Sequence, residues 1–567
     1  MLTVLLSWII IFIITLILGY GIVELLYKES RQYVSSIDVY LVMGIVMVNV
    51  YAEMFSVFYK VKALACMFLF VLGVVLVVIY YVLGRKGLMK WEKIHISNYQ
   101  WLLLICIILA TAAWTTGFPK HYDTGLYHNQ AIQWIEKYGV VPGLGNLHNR
   151  FAYNSAFMPL QALFSLEWLT ERSLHTVNGY VCCLFLAYAI LSCSFWRRKS
   201  IVLSDLFKFT VLIYVYDIRE IISSPSTDIL AMALILYVCI KWCEFVEGEV
   251  DDALPYTMLS VICVYLVTVK LSVACSVLLA VYPAVLLLKR KKWKDIAINI
   301  VLGLVIIIPW LVRNVMISGY LVYPYPQIDL FKVDWKMPAS VLTYDSREIM
   351  VWGRGMMDVA DFDMKIGEWF PIWFEQQEWK ELIIVGLLAS VTVLILRSIK
   401  FLKEKKIYAA WDILLCYSAV TLVVWLYSSP LMRYGMVYLL IPICLCGGGL
   451  LETIKKSYKI QKFIRVVVPM LLLPFFITYT VKIGNVSSWY RQENYAWNLT
   501  QEKEIENGVK IWLTEGSDQS SYDVFPCIPY EGMLERIELR GETLEDGFKV
   551  KDIYKDLRLK NDGNEWR

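Results

Sequence analysis

"YTMLSVICVYLVTVKLSVACSVLLAVYPAVLLL" (256–288) is an apolar run interrupted by a single charge, Lys270. As one helix it would extend ~50 Å at 1.5 Å per residue, far beyond a ~30 Å hydrocarbon core. As two spans it turns at "TVKLS" (268–272) and leaves Lys270 at a membrane surface. The two-span reading also sets which ends of the other apolar runs share a side.

The 567-residue chain is 58% hydrophobic and 18% charged, with mean hydropathy +0.55. A soluble domain cannot bury that much apolar surface, so the composition is that of a polytopic membrane protein. The net charge of +4 is accounted for by basic loops and gives no reason to expect nucleic acid. Of 13 cysteines, all but Cys527 fall within apolar runs. Cys182, Cys183, Cys444 and Cys446 therefore read as helix packing and not as a metal site or an exported disulfide. The first run lacks a basic leader and a small-residue cleavage site, and reads as a retained span.

About fourteen runs approach the ~20 apolar residues that a span needs. They lie near 2–26, 37–59, 62–84, 99–116, 174–196, 201–217, 227–246, 255–270, 271–288, 294–314, 380–397, 408–428, 431–450 and 463–483. Lys/Arg clusters at 84–93, 196–199, 289–294, 397–406 and 455–462 alternate with loops poor in positive charge. The positive-inside rule makes the clusters cytoplasmic and puts 117–173, 217–227, 315–379, 484–567 and both termini outside. The acidic loop "EFVEGEVDD" (244–252) is the exception, cytoplasmic by position though not by charge.

The expected fold class is thus an all-α polytopic membrane protein with large outer loops and a small polar C-terminal segment. Its parts are a four-span region (1–116), an outer loop with an interfacial helix (117–173), spans five to ten (174–314), a second outer loop (315–379), spans eleven to fourteen (380–483) and the tail (484–567). The second loop is rich in Trp, Tyr and Pro, as an interfacial belt would be.

This topology gathers ionisable residues on one side. Asp123 follows span four, Asp228 opens span seven, Lys270 sits at the turn, Arg313 closes span ten and Arg433 opens span thirteen. Such groups near a membrane are costly unless paired or functional. His121, His128, His148 and His175 lie in the same outer region. Plainer roles exist for each. Asp123 suits the N-cap of an amphipathic helix over 124–138, with Tyr127, Ala131, Trp134 and Tyr138 on one interfacial face and Gly139 ending it. Asp228 suits a first turn capped by Ser224 with Pro225 at N1. The arginines can snorkel, and His148 and Asn154 can order the loop.

Carboxylates and cations converging on one side suit transfer of a group from a phosphate-linked donor. Lys270, Arg313 and Arg433, with Asp228, His121 and Tyr122, are the candidates for holding substrate and phosphate, where cations offset charge that develops as the bond breaks. Asp123 is the candidate general base, and His128 is placed to orient it or to bind phosphate. No P-loop, GxGxxG or His-Glu-x-x-His signature is present.

The strings "PWLVRNVMISGYLVYP" (309–324) and "SSPLMRYGMVYLL" (428–440), after a first large outer loop carrying an Asp, resemble the GT-C superfamily of membrane glycosyltransferases. More narrowly, "YDTGLYHNQAIQWIEKYGVVPGLGNLHNRFAYNS" (122–155), "SSPSTD" (223–228) and "VKLS" (269–272) resemble a family of uncharacterised multi-pass bacterial membrane proteins with GT-C-like architecture. The resemblance implies a polyprenyl-phosphate or polyprenyl-diphosphate sugar donor, a glycan, lipid or protein acceptor, and a bacterial cytoplasmic membrane. Here Tyr320 stands where Asn is common, and the paired acidic motif of several branches is absent, which leaves a divalent metal open and no cofactor assigned. A transporter or flippase of lipid-linked sugars and a polysaccharide polymerase are the alternatives.

Overall fold

The computed structural model describes the chain apart from residues 83–96, 195–200, 455–480, 482–485, 487, 491, 493–497 and 556–567. Among the described residues nine helices are long and apolar enough to cross a membrane: Leu2–Leu26, Ile37–Phe58, Asn98–Thr115, Thr227–Glu247, Leu271–Lys289, Trp293–Ser318, Lys380–Glu404, Ala409–Ser428 and Met432–Leu451. Ala63–Ile79, Val177–Leu191 and Ala253–Val269 are shorter apolar helices. Leu203–Asp217 is helical over 15 residues, and the expected span at 463–483 lies outside the described residues.

The helix Thr227–Glu247 is the axis of the bundle, with 89% of its apolar window buried. It is apolar all round, so only a position enclosed by other helices suits it. Trp293–Ser318 and Lys380–Glu404 have only 17% of theirs buried, and turn Ile300, Val301, Leu388 and Leu396 outward. Uncovered apolar faces of this extent belong against lipid.

The run 256–288 folds as two elements. Ala253–Val269 ends at Lys270, whose extended backbone (φ −159°, ψ 125°) precedes a 3-10 segment, Leu271–Ala280. The second element folds back on the first, so that the Ser276 hydroxyl donates to the Cys263 carbonyl at 3.3 Å. Within the acidic stretch 244–252, Glu244 is paired by Lys208 of a neighbouring helix and by Lys241 of its own at 2.8 and 3.2 Å, and Arg290 reaches Asp251 at 2.8 Å.

Three features differ from expectation. The tail carries strands, β1 (Thr500–Glu504) antiparallel to β2 (Lys510–Thr514), β2 parallel to β3 (Cys527–Ile528), and β4 (Ile537–Leu539) antiparallel to β5 (Phe548–Val550). The helix after Asp123 does not lie bare at an interface either. Trp134 is fully buried in a cluster with Val141, Leu144, Ile511, Leu513 and Phe548, so the tail covers the face bearing Tyr127, Ala131 and Tyr138. Gln130 fixes the register, donating to the Ser521 and Val524 carbonyls at 2.7 and 3.0 Å and accepting from the Cys527 N–H at 3.0 Å. In the second loop, Trp369 and Trp373 are buried under neighbouring helices and not spread along a belt.

The helices Leu2–Leu26 and Ile37–Phe58 approach through Gly19 and Gly44. A Cβ on Gly19 would meet the Tyr40 carbonyl oxygen at 1.7 Å, and one on Gly44 the Thr15 carbonyl oxygen at 1.9 Å. Small residues permit such backbone contact between membrane helices. Gly44→Ala should cost about 1–3 kcal/mol through overpacking and lower the melting temperature in detergent. Gly303→Ala, with nothing within 4 Å, should leave it unchanged or raise it. Equal melting of the two variants would contradict the close approach.

Candidate functional site

Four chain segments deliver side chains to one place at the ends of the bundle helices. Asp228 is the second residue of Thr227–Glu247. Ser226, and not Ser224, caps that helix, accepting the Asp228 N–H at 3.4 Å. Ser224 acts next door: its hydroxyl accepts the His121 N–H at 3.0 Å, while Asn178 donates to the Ser224 and Ser226 carbonyls at 2.7 and 2.8 Å. The 223–228 segment is thereby pinned against His121. Lys270 enters from the hairpin turn and Arg433 from the start of Met432–Ile454.

Asp123 does not cap a helix. Its backbone is already helical (φ −67°, ψ −9°), its side chain makes no cap bond, and the next five residues, Thr124–His128, form a π turn before Asn129–Lys137. Single π turns inside helices recur at functional sites because they re-aim side chains. Here the Asp123 carboxylate meets Arg433 Nη1 at 3.1 Å.

The charges form a connected set. Lys270 Nζ donates to Asp228 Oδ1 and lies 3.8 Å over the Tyr434 ring. Asp228 Oδ2 stands 3.6 Å from Arg433 Nε and 3.7 Å from His121 Nε2. Arg433 also donates to the Tyr434 hydroxyl at 2.8 Å. His121 Nδ1 accepts the Asp123 N–H at 3.2 Å. His121 Nε2 lies 3.3 Å from Arg433 Nη1 as well as facing Asp228. The His128 ring stacks on His121 with centroids 5.9 Å apart. Asp228 and His121 are buried, whereas the Arg433 side chain is 35% exposed and marks the open side. Two carboxylates face two cations, so the cluster is electrically balanced at rest.

Burial opposes charge on Asp123, but Arg433 and then His121 and His128 outweigh it, and its carboxyl is held below the usual carboxylate range. Burial pushes His128 down to about 3, against the pull of Asp123. Both ring nitrogens of His128 lack a hydrogen-bond partner.

Two expected members are elsewhere. Arg313 is buried among other partners, donating to the Asn154 side-chain oxygen at 3.0 Å and to the Ser56 hydroxyl at 2.6 Å, and it lines a small cavity with Tyr153 and Ser155. Tyr122 turns outward, its hydroxyl donating to Asp518 of the tail. His148 and Asn154 do order the loop, through the Leu126 and Trp310 carbonyls at 3.3 and 3.0 Å.

A second buried network had no place in the expectations. Arg150 pairs with Asp345 at 3.0 Å and with Glu348, while Tyr323 and Asn149 donate to Asp345 at 2.7 and 3.0 Å. It ties the loop 117–173 to the loop 315–379, and Tyr153, which also donates to Asp345, packs 6.2 Å from Tyr127 beside the site. Glu53, a buried carboxylate inside the run 37–59, was also passed over, although an intramembrane acid is itself a signal. No group of three or more His, Cys, Asp and Glu side chains is arranged to hold a metal among the described residues.

A multi-pass helical membrane protein with a balanced, partly open charge cluster at the ends of its helices is the class that fold and site define. The chain belongs to the family described as a domain of unknown function (DUF8201), which matches residues 1–440 and so includes every member of the cluster. No curated protein and no solved structure matches it.

The neutral His128 sets a pH dependence. Unfolded, the imidazole takes a proton near 6.5; folded, only near 3, so its contribution to stability is full above 6.5 and is lost as pH falls toward 3. The melting temperature should therefore fall between pH 6.5 and about 4.5, and His128→Gln should flatten that slope. An unchanged slope in the variant would contradict a neutral, unpartnered imidazole.

Proposed function

We propose that the protein is a membrane glycosyltransferase that takes a sugar from a polyprenyl-phosphate or polyprenyl-diphosphate donor and passes it to a hydroxyl acceptor at the outer face of a bacterial cytoplasmic membrane. The observation that carries this is the convergence of Asp123, Asp228, His121, His128, Lys270 and Arg433, drawn from four helix ends. A balanced set of two cations and two carboxylates can exchange one internal ion pair for a phosphate. Arg433 and Lys270 are the cations that would re-pair, and charge-assisted bonds from them strengthen as the glycosyl–oxygen bond breaks and charge grows on the leaving phosphate. Asp123 and His128 are the two side chains able to take the acceptor's proton.

Orientation follows from alternation. Leu271–Lys289 begins beside Lys270 and ends at the basic run 289–294, and Lys380–Glu404 ends in the basic run 397–406. The cluster thus occupies helix ends opposite the basic loops, the side that the positive-inside rule places outside. The N-terminal amine donates to the Ser488 carbonyl at 2.9 Å, which supports reading both on one face. Of the alternatives, a flippase needs the cations but has no use for a proton acceptor beside them.

The test is binding of polyprenyl monophosphate to the full chain in nanodiscs. Lys270→Ala and Arg433→Ala should each weaken it by about 10- to 150-fold, from ~1.5–3 kcal/mol for a charged hydrogen bond. Lys503→Ala, on the tail surface, should leave it unchanged. Wild-type affinity in both cluster variants would remove the phosphate cradle and the reading with it.

A further inference from the structure

We propose that His128, and not Asp123, is the side chain that accepts the proton of the incoming acceptor hydroxyl, a role that rests on the glycosyl-transfer reading. His128 is 1% exposed, and neither Nδ1 nor Nε2 has a hydrogen-bond partner. A neutral imidazole carries one donor and one acceptor, and leaving both unmade in a buried place is expensive unless a ligand completes them. Thr124, four residues earlier on the same π turn, is likewise fully buried with its hydroxyl unpartnered. A hydroxyl-bearing acceptor supplies what both groups lack, an O–H to give and an oxygen to receive.

Asp123 is placed less well for the task. Its carboxylate is engaged by Arg433 at 3.1 Å in the resting cluster. His128 has no such tie. The groups around it are His121, stacked on its ring, with Asp123, Asp228 and Lys270 acting on it through space and Tyr127 against its edge. The two carboxylates favour the imidazolium that forms, and Lys270 opposes it. In the step itself, the acceptor O–H proton passes to an imidazole nitrogen and the acceptor oxygen bonds to the anomeric carbon. The bond from that carbon to the phosphate oxygen breaks, and its electron pair leaves on the phosphate, beside Arg433 and Lys270. The proton then returns to water, and no oxidant, reductant or further co-reactant enters.

The experiment uses the full chain in nanodiscs with polyprenyl-phosphoryl hexoses, water serving as the acceptor, and reads release of free hexose. His128→Gln should reduce release by at least ~100-fold, the lower bound for losing a general base, with polyprenyl-monophosphate affinity and melting at pH 7.5 close to wild type. Asp123→Asn should reduce release by a smaller factor. If the wild-type protein releases hexose and His128→Gln releases it as fast, or Asp123→Asn is the more damaged variant, the assignment to His128 is overturned while glycosyl transfer stands. If the wild-type protein releases none, both are overturned.

Discussion

Lys270 and Asp228 form the contact on which the rest of the site depends. Each is nearly surrounded by apolar helix, and neither can be left there alone at tolerable cost. Their pairing requires that the 256–288 run turn at Lys270, that Thr227–Glu247 begin at the same level, and that the two ends be neighbours. Arg433 and His121 then complete the coordination of Asp228, and Asp123 follows because its own backbone is bonded to His121. Removing one charge would strand its partner, so the cluster holds its geometry as a unit.

Around this contact the loop 117–173 is clamped from three directions. The 223–228 segment grips His121 through Ser224, the Arg150–Asp345–Glu348 network ties its middle to the second loop, and the tail covers the apolar face of its helix. A loop so held can present a π turn and two unsatisfied polar side chains without collapsing around them. The tail lies beyond the matched family region yet touches the stretch that carries the site's histidines at Tyr122 and at Gly125, whose carbonyl accepts the Ser520 N–H at 2.7 Å.

Much of this was legible in the sequence, for reasons that also explain what was not. A lone charge in a long apolar run has few tolerable positions, which fixed Lys270 at a turn, and Asp228 and Arg433 were placed by the same reasoning. That reasoning gives depth along the membrane normal and nothing about direction around a helix. Arg313 lies near the end of its helix, as expected, but faces Asn154 and Ser56. The amphipathic pattern at 124–138 was plain, yet an apolar face is served equally by lipid and by protein, and only the folded tail decides. Its strands, two to five residues long, are too short and polar to announce themselves. Asp345 and Glu348 look like solvated charges until Arg150, some two hundred positions away in the chain, is brought against them.

The most direct measurement is a cryo-EM map of the full chain in nanodiscs saturated with polyprenyl monophosphate. Phosphate density is expected within hydrogen-bonding reach of both Arg433 and Lys270, with the prenyl chain running toward lipid. Phosphate seated against Arg313, or an undisturbed cluster with the ligand bound elsewhere, would contradict it.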